Sequence, residues 1–176
     1  MKHKEAISIL IRYLLLLVFS FSNLYLFYLI FQPLTIYPVF WILKSIYGAT
    51  LENTMIIFSE GGIIIDLIPA CIAGAAYYLL LILNLTTPMK LNKRLRSMLF
   101  LFATFLILNI IRIVIFSVLL ANGYSYFDLA HKITWYFTST ALVVLIWFSN
   151  VKLFKIKQIP VYTDFKIIYK KIRGKR

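Results

Sequence analysis

Acidic residues are scarce in this 176-residue chain: six Asp and Glu stand against nineteen Lys and Arg, and charge of either sign makes up only 14% of it. A soluble domain carries about 25% charged residues, so an ordinary water-facing surface is excluded. There is one cysteine, Cys71, which rules out an internal disulfide and leaves the redox compartment unreadable. No short apolar core followed by a small-residue cleavage site appears near the start, so the first apolar run is expected to stay rather than be removed as a signal peptide. Internal repeats are missing too, which argues against a transporter built from duplicated spans. What the chain has in quantity is apolar side chains, 62% of residues, with 17% aromatic. The length suits one polytopic membrane domain, residues 1–150, followed by a basic tail, residues 151–176.

A net charge of +13 raises nucleic acid as a partner, but its distribution argues against one. Nucleic-acid binders spread basic residues over a polar face. Here the basic residues cluster at the ends of apolar runs, as the positive-inside rule expects. Residues 13–31 form nineteen positions without a charge, about 28 Å of helix. Lys2, Lys4 and Arg12 precede them. A second span runs from about Pro69 to Leu85, a third from Met98 to Ala121, and a fourth from about Tyr126 to Asn150. Between the second and third lies a loop, residues 86–97, with Lys90, Lys93, Arg94 and Arg96. The tail holds Lys152, Lys155, Lys157, Lys166, Lys170, Lys171, Arg173, Lys175 and Arg176. Placing the N-terminus, this loop and the tail in the cytoplasm puts sixteen of the nineteen basic residues inside, all but Lys44, Arg112 and Lys132. Four of the six acids, Glu52, Glu60, Asp66 and Asp128, then fall outside.

Residues 32–68 must begin and end outside, so they cross the membrane twice or not at all. Residues 35–47 are apolar but short and are interrupted by Pro38 and Lys44, which reads as an interfacial helix. Residues 54–66 carry two β-branched runs around Gly61 and Gly62, which reads as a β-hairpin, and an open strand edge cannot sit in hydrocarbon. The predicted fold is therefore an all-α integral membrane bundle of about four transmembrane helices, up to six, with an external interfacial helix and a hairpin-like segment.

Three residues of reactive type fall in the outer half of this bundle. Arg112 lies nine residues before Ala121, about 13 Å deep. An arginine there costs roughly 2.5–3.5 kcal/mol on insertion scales and normally faces a partner or a wet cavity. Asn109 sits one turn earlier, so the pair reads either as a directed polar site or as packing polar groups. Cys71 falls in the first turn of a helix opened by Pro69, where the helix dipole favours a thiolate. Gly74 and Ala75 share its face and leave room for close approach. The alternative is a buried structural cysteine. His131 follows Ser125 and Asp128, a helix-capping pattern, and lies about 9 Å below that helix start. Thr134 and Thr138 share its face, and a structural histidine is the plainer reading. Together the three supply what acyl transfer needs: a thiol, a base to deprotonate it and a permanent donor for an oxyanion. No metal or other cofactor is expected.

The run Pro69-Ala-Cys71-Ile-Ala-Gly74-Ala-Ala-Tyr-Tyr78, the Asn109-Ile-Ile-Arg112 segment in the next span, and His131 at the head of the following one resemble the exosortase/archaeosortase family. The similarity covers roughly residues 56–148 and is nearest the short archaeal branch called pacearchaeosortases. Ile72 stands where many members carry Ser or Thr. The resemblance implies a membrane-embedded cysteine transpeptidase or protease. Its partners would be secreted proteins ending in a recognition motif, a transmembrane helix and a basic tail. Cys71 would form a thioester with the substrate, His131 would act as base and acid, and Arg112 would stabilise the oxyanion. Asn109 and Gly74 would support the site, and a membrane lipid is the expected acceptor. A non-catalytic scaffold, or a small transporter using Arg112 as an anion site, are the competing readings.

Overall fold

The computed structural model describes residues 3–21, 24–59, 61–158, 160 and 169. Most of the basic tail, including Lys166, Lys170, Lys171, Arg173, Lys175 and Arg176, lies outside the described residues, as does Lys2. The chain is mostly helical with one small sheet. Among the described residues, seven α-helices, α1 (His3–Phe21), α2 (Tyr25–Tyr47), α3 (Pro69–Ile72), α4 (Gly74–Leu85), α5 (Leu91–Ala121), α6 (Phe127–Ile133) and α7 (Ser139–Leu153), are joined by three strands and one π-helical turn. Two of them, α2 and α5, are long and apolar enough to cross a membrane.

The uninterrupted helix expected over residues 13–31 is not formed. Helix α1 ends at Phe21, and α2 starts at Tyr25 behind an N-cap residue, Leu24, in the left-handed conformation, φ 61°. The separate interfacial helix expected at 35–47 is instead the second half of α2, which runs through Pro33 and Pro38 without ending. Proline is tolerated in an apolar helix when neighbouring elements cover the freed carbonyls, and α2 packs against both α4 and α5. Phe31 stacks on Tyr77 at 3.6 Å, and Phe27 meets Tyr78 and Phe102 edge-on. Lys44, the charge that argued against a span, lies over the rings of Phe40 and Trp41. Arg12 of α1 donates to the Leu85 carbonyl, while Asn122, just past α5, donates to the Tyr47 hydroxyl. The path from α1 through α2 thus traverses the bundle once, from the 86–90 end to the sheet end.

The hairpin expected over 54–66 forms as β2 (Met55–Phe58) and β3 (Ile64–Asp66), antiparallel, with Ile56 opposite Ile65. A third strand, β1 (Ala49–Glu52), joins β2 through the two-residue turn Asn53–Thr54. Asn53 holds the left-handed φ that this turn needs. Along β2 burial alternates, with Ile56 and Phe58 inward, as a pleated strand with one covered face requires. The sheet caps one end of the bundle, with Tyr47 stacked on Phe58.

At the other end, the last carbonyls of α4 are satisfied one by one. Thr86 takes Ile82, Thr87 takes Leu83 and Asn84, and Arg12 takes Leu85, as a buried helix end demands. Arg94 donates to the Thr87 carbonyl. Arg12 and Arg94 are therefore buried helix-end donors rather than free flanking charges. The loop expected at 86–97 shortens to five residues because α5 begins at Leu91. A buried chain of hydrogen bonds, Asn84 to Ser97 to Asn150, ties α4, α5 and α7 together. On α5 the inward stripe is Leu101, Phe105, Asn109, Ile113 and Ser117. Its outward positions Leu91, Leu95, Leu99, Ile107, Ile111 and Ile115 are apolar and 48% to 71% exposed.

Candidate active site

Cys71 stands in α3, a single helical turn that Pro69 opens. The next residue but one, Ala73, is left-handed at φ 58°, so the helix breaks and restarts as α4. The dipole argument for a thiolate therefore weakens, since one turn aligns few peptide units. The break has a second consequence. Among the described residues no backbone N–H bonds the Cys71 carbonyl, and the side chain of Asn109 donates to it at 2.9 Å. Asn109 is 1% exposed. It holds the backbone of the cysteine, and does not form one polar site with Arg112 as their shared helix face suggested.

Gly74, immediately after the break, is buried against α2. A Cβ there would lie 2.9 Å from the Tyr28 ring. The close approach expected at Gly74 is thus made by the protein's own helix α2.

Arg112 is half-buried on α5, and its Nη1 donates to Ser139 Oγ. Ser139 was not among the expected site residues, and the reason is local. The fourth span expected from Tyr126 to Asn150 is not one regular helix: residues Thr134–Thr138 form a π-helical turn. Such a turn absorbs about one extra residue. The bulge brings Ser139 toward Arg112. The Ser125 cap is also not realised. Tyr126 occupies the N-cap without a side-chain bond, and the Phe127 N–H is already taken by the Tyr124 carbonyl.

His131 is exposed, stacked on Phe127 with ring centroids 5.5 Å apart and edge-on to Phe116 at 5.4 Å. These rings fix the plane of the imidazole, and among the described residues no hydrogen bond engages its nitrogens. Cys71, Arg112 and His131 all line one cleft of about 210 Å³, together with Thr134, Asp66 and apolar residues of β3, α5 and α6. The Arg112 guanidinium is within electrostatic reach of the Cys71 sulfur. Asp66 ends β3 at the cleft wall, its Oδ1 accepting from Thr54. Its place as a polar residue just ahead of the cysteine turn is the signal that could have singled it out.

Chemically, the cleft combines a thiol, an imidazole and a guanidinium with walls of Ile64, Ile65, Leu67, Ile113, Phe116, Leu120 and Phe127. Apolar walls strengthen charge interactions by excluding water, and they suit an apolar stretch of peptide. Among the described residues, no group of three or more His, Cys, Asp or Glu side chains could hold a metal ion. No family model, no curated protein and no solved structure matches the chain.

Proposed function

We propose that this chain is a membrane-embedded cysteine transpeptidase or protease of the exosortase/archaeosortase kind. It would cleave the C-terminal sorting signal of secreted proteins. The observation that carries the reading is the single cleft lined by Cys71, Arg112 and His131. Three elements far apart in sequence contribute one chemically distinct group each to it, which packing alone does not require.

In this mechanism His131 takes the thiol proton, and the Cys71 sulfur attacks the substrate's peptide carbonyl carbon. Arg112 donates to the oxyanion that forms. Collapse breaks the C–N bond, the leaving amine takes the proton from His131, and the tail helix departs. A thioester remains on Cys71. A lipid hydroxyl, or water in simple proteolysis, then gives its proton to His131 and accepts the acyl group, freeing the thiol. The expected test product is that thioester. Co-expression with secreted proteins of the same genome that end in an apolar helix and a basic tail should yield a hydroxylamine-labile adduct on the peptide containing Cys71, read by mass spectrometry. If every such protein leaves the thiol unmodified and its own tail uncut, the reading fails.

The membrane arrangement goes with it. The path through α1 and α2, the α3–α4 pair, α5, and the α6–α7 segment would make four crossings. Lys90, Lys93, Arg96, Lys152, Lys155 and Lys157 gather at one end, and Glu52, Asp66 and Asp128 at the other. The positive-inside rule puts the first end in the cytoplasm and the cleft at the outer face. In a Cys71→Ser background, a membrane-impermeant maleimide added to intact cells should label Tyr124→Cys and spare Asn92→Cys. The opposite pattern would invert the topology.

A scaffold reading has one observation in its favour. The Arg112–Ser139 bond joins α5 to α7, which a purely architectural arginine would also do. A scaffold keeps its function in Cys71→Ser; a thiol enzyme does not.

A further inference from the structure

We propose that the end of the bundle opposite the cleft carries a binding site for the phosphate headgroup of an anionic membrane lipid. The site is a second hollow, about 290 Å³, between the 86–90 loop and the chain that follows α7. Its wall includes Lys90, Lys93, Lys155 and Lys157, with Met89 and Ile156. The inference does not depend on the enzymatic reading.

The fold builds this hollow by turning the chain back. After α7 ends at Leu153, Lys155 takes a left-handed φ of 47°, and the Ile156 N–H bonds the Val151 carbonyl. Lys93 Nζ then donates to the Lys155 carbonyl at 3.2 Å. That bond staples the returning chain to the first turn of α5. Four lysines from two segments thus line one hollow, and among the described residues none is paired with a carboxylate. An ammonium has three donors, so Lys93 keeps two for a ligand. Four unpaired like charges around one hollow repel one another, and a bound anion removes that repulsion. The first turn of the 31-residue α5 carries no side-chain cap, which leaves its N–H groups and the positive end of its dipole free beside the hollow.

The surroundings favour a lipid over a soluble phosphate. The two helices that flank the hollow continue directly into exposed apolar surface. Leu91, Leu95 and Leu99 recur every four residues along α5, and Leu153 ends α7 at 60% exposure. A ligand with a phosphate and acyl chains matches both surfaces at once; an inorganic anion matches only one.

The test uses the full-length protein in detergent at physiological ionic strength, with native mass spectrometry counting bound lipid. Phosphatidylglycerol should bind with about one molecule retained, and phosphatidylcholine should not compete. The triple variant Lys93→Gln, Lys155→Gln, Lys157→Gln should bind phosphatidylglycerol about tenfold to hundredfold more weakly. The corresponding triple Lys→Arg variant should keep the affinity. The control pair Arg96→Gln, Lys152→Gln, at the same end but outside the hollow, should change it less than about threefold. Equal binding of the two lipids would overturn the proposal. So would an equal loss in the control pair, which would mean diffuse surface charge only. Binding of glycerol 1-phosphate as tight as that of the lipid would overturn it in favour of a soluble-anion site.

Discussion

Cys71→Ala is expected to abolish processing of a tailed substrate while the protein still inserts and accumulates. The thiol is half-buried at the wall of the cleft, where it packs against the edge of the core rather than within its fully buried centre around Tyr77, Phe105 and Leu101. Removing one sulfur there should cost little stability compared with the 2–5 kcal/mol of a large core truncation. What is lost is the only atom that can form the thioester. His131→Ala should be nearly as severe, because the thiol then has no base. The double variant should be no worse than Cys71→Ala alone, since residues acting as one unit are grossly non-additive. Quantifying cleaved and uncut substrate by immunoblot, with protein abundance in the same membranes, reads both effects. Near-normal processing by Cys71→Ala would leave the cleft without its chemistry.

Arg112→Lys should lower turnover about 10²- to 10³-fold, the typical worth of one oxyanion donor, with little change in abundance. Lysine keeps the positive charge within the apolar run, so the insertion cost is nearly unchanged. It loses the planar fork that bonds two oxygens at once. That fork matters here because Nη1 is already committed to Ser139. A guanidinium can hold Ser139 and still present other N–H groups to the cleft, whereas one ammonium must divide its donors without a fixed geometry. Ser139→Ala separates the two roles. If Arg112 works mainly by tying α5 to α7, Ser139→Ala should reduce abundance as much as Arg112→Lys does. If it works on the oxyanion, Ser139→Ala should leave abundance intact and slow turnover only through poorer aim. Turnover measured per unit of inserted protein decides between them.

Several features of the site could be read from the chain because they depend on local composition. Pro69 marks a helix start by lacking an N–H, and Cys71 does fall in the first turn. Gly61 and Gly62 mark a turn between two β-branched runs, and β2 and β3 form there. Arg112 announces itself because a charge in an apolar run needs a partner. Other features were illegible for equally physical reasons. The left-handed positions at the breaks, Leu24 and Ala73, are ordinary helix-forming residues; Gly74 follows the second, but only packing against other elements makes a left-handed Leu or Ala tolerable. Strand β1 lacks an Asn-Gly turn, and its short run reads as loop. The π-turn at Thr134–Thr138 has no sequence signature, and nothing in the chain marks Ser139 as the partner of Arg112.

The sequence by itself determined which segments are apolar, which residues carry reactive groups and where the positive charge accumulates. Each of these follows from the side chains alone, through their cost of transfer between water and an apolar phase. The tertiary structure decided who meets whom. It turned the Gly74 face toward Tyr28, gave Asn109 to the Cys71 carbonyl, and set Cys71, Arg112 and His131 around one cleft. Such pairings depend on where two helices break and on one extra residue in a third. A change of one residue in helical register rotates a side chain by about 100°, and periodicity along a single chain carries no information about which neighbour lies on the other side.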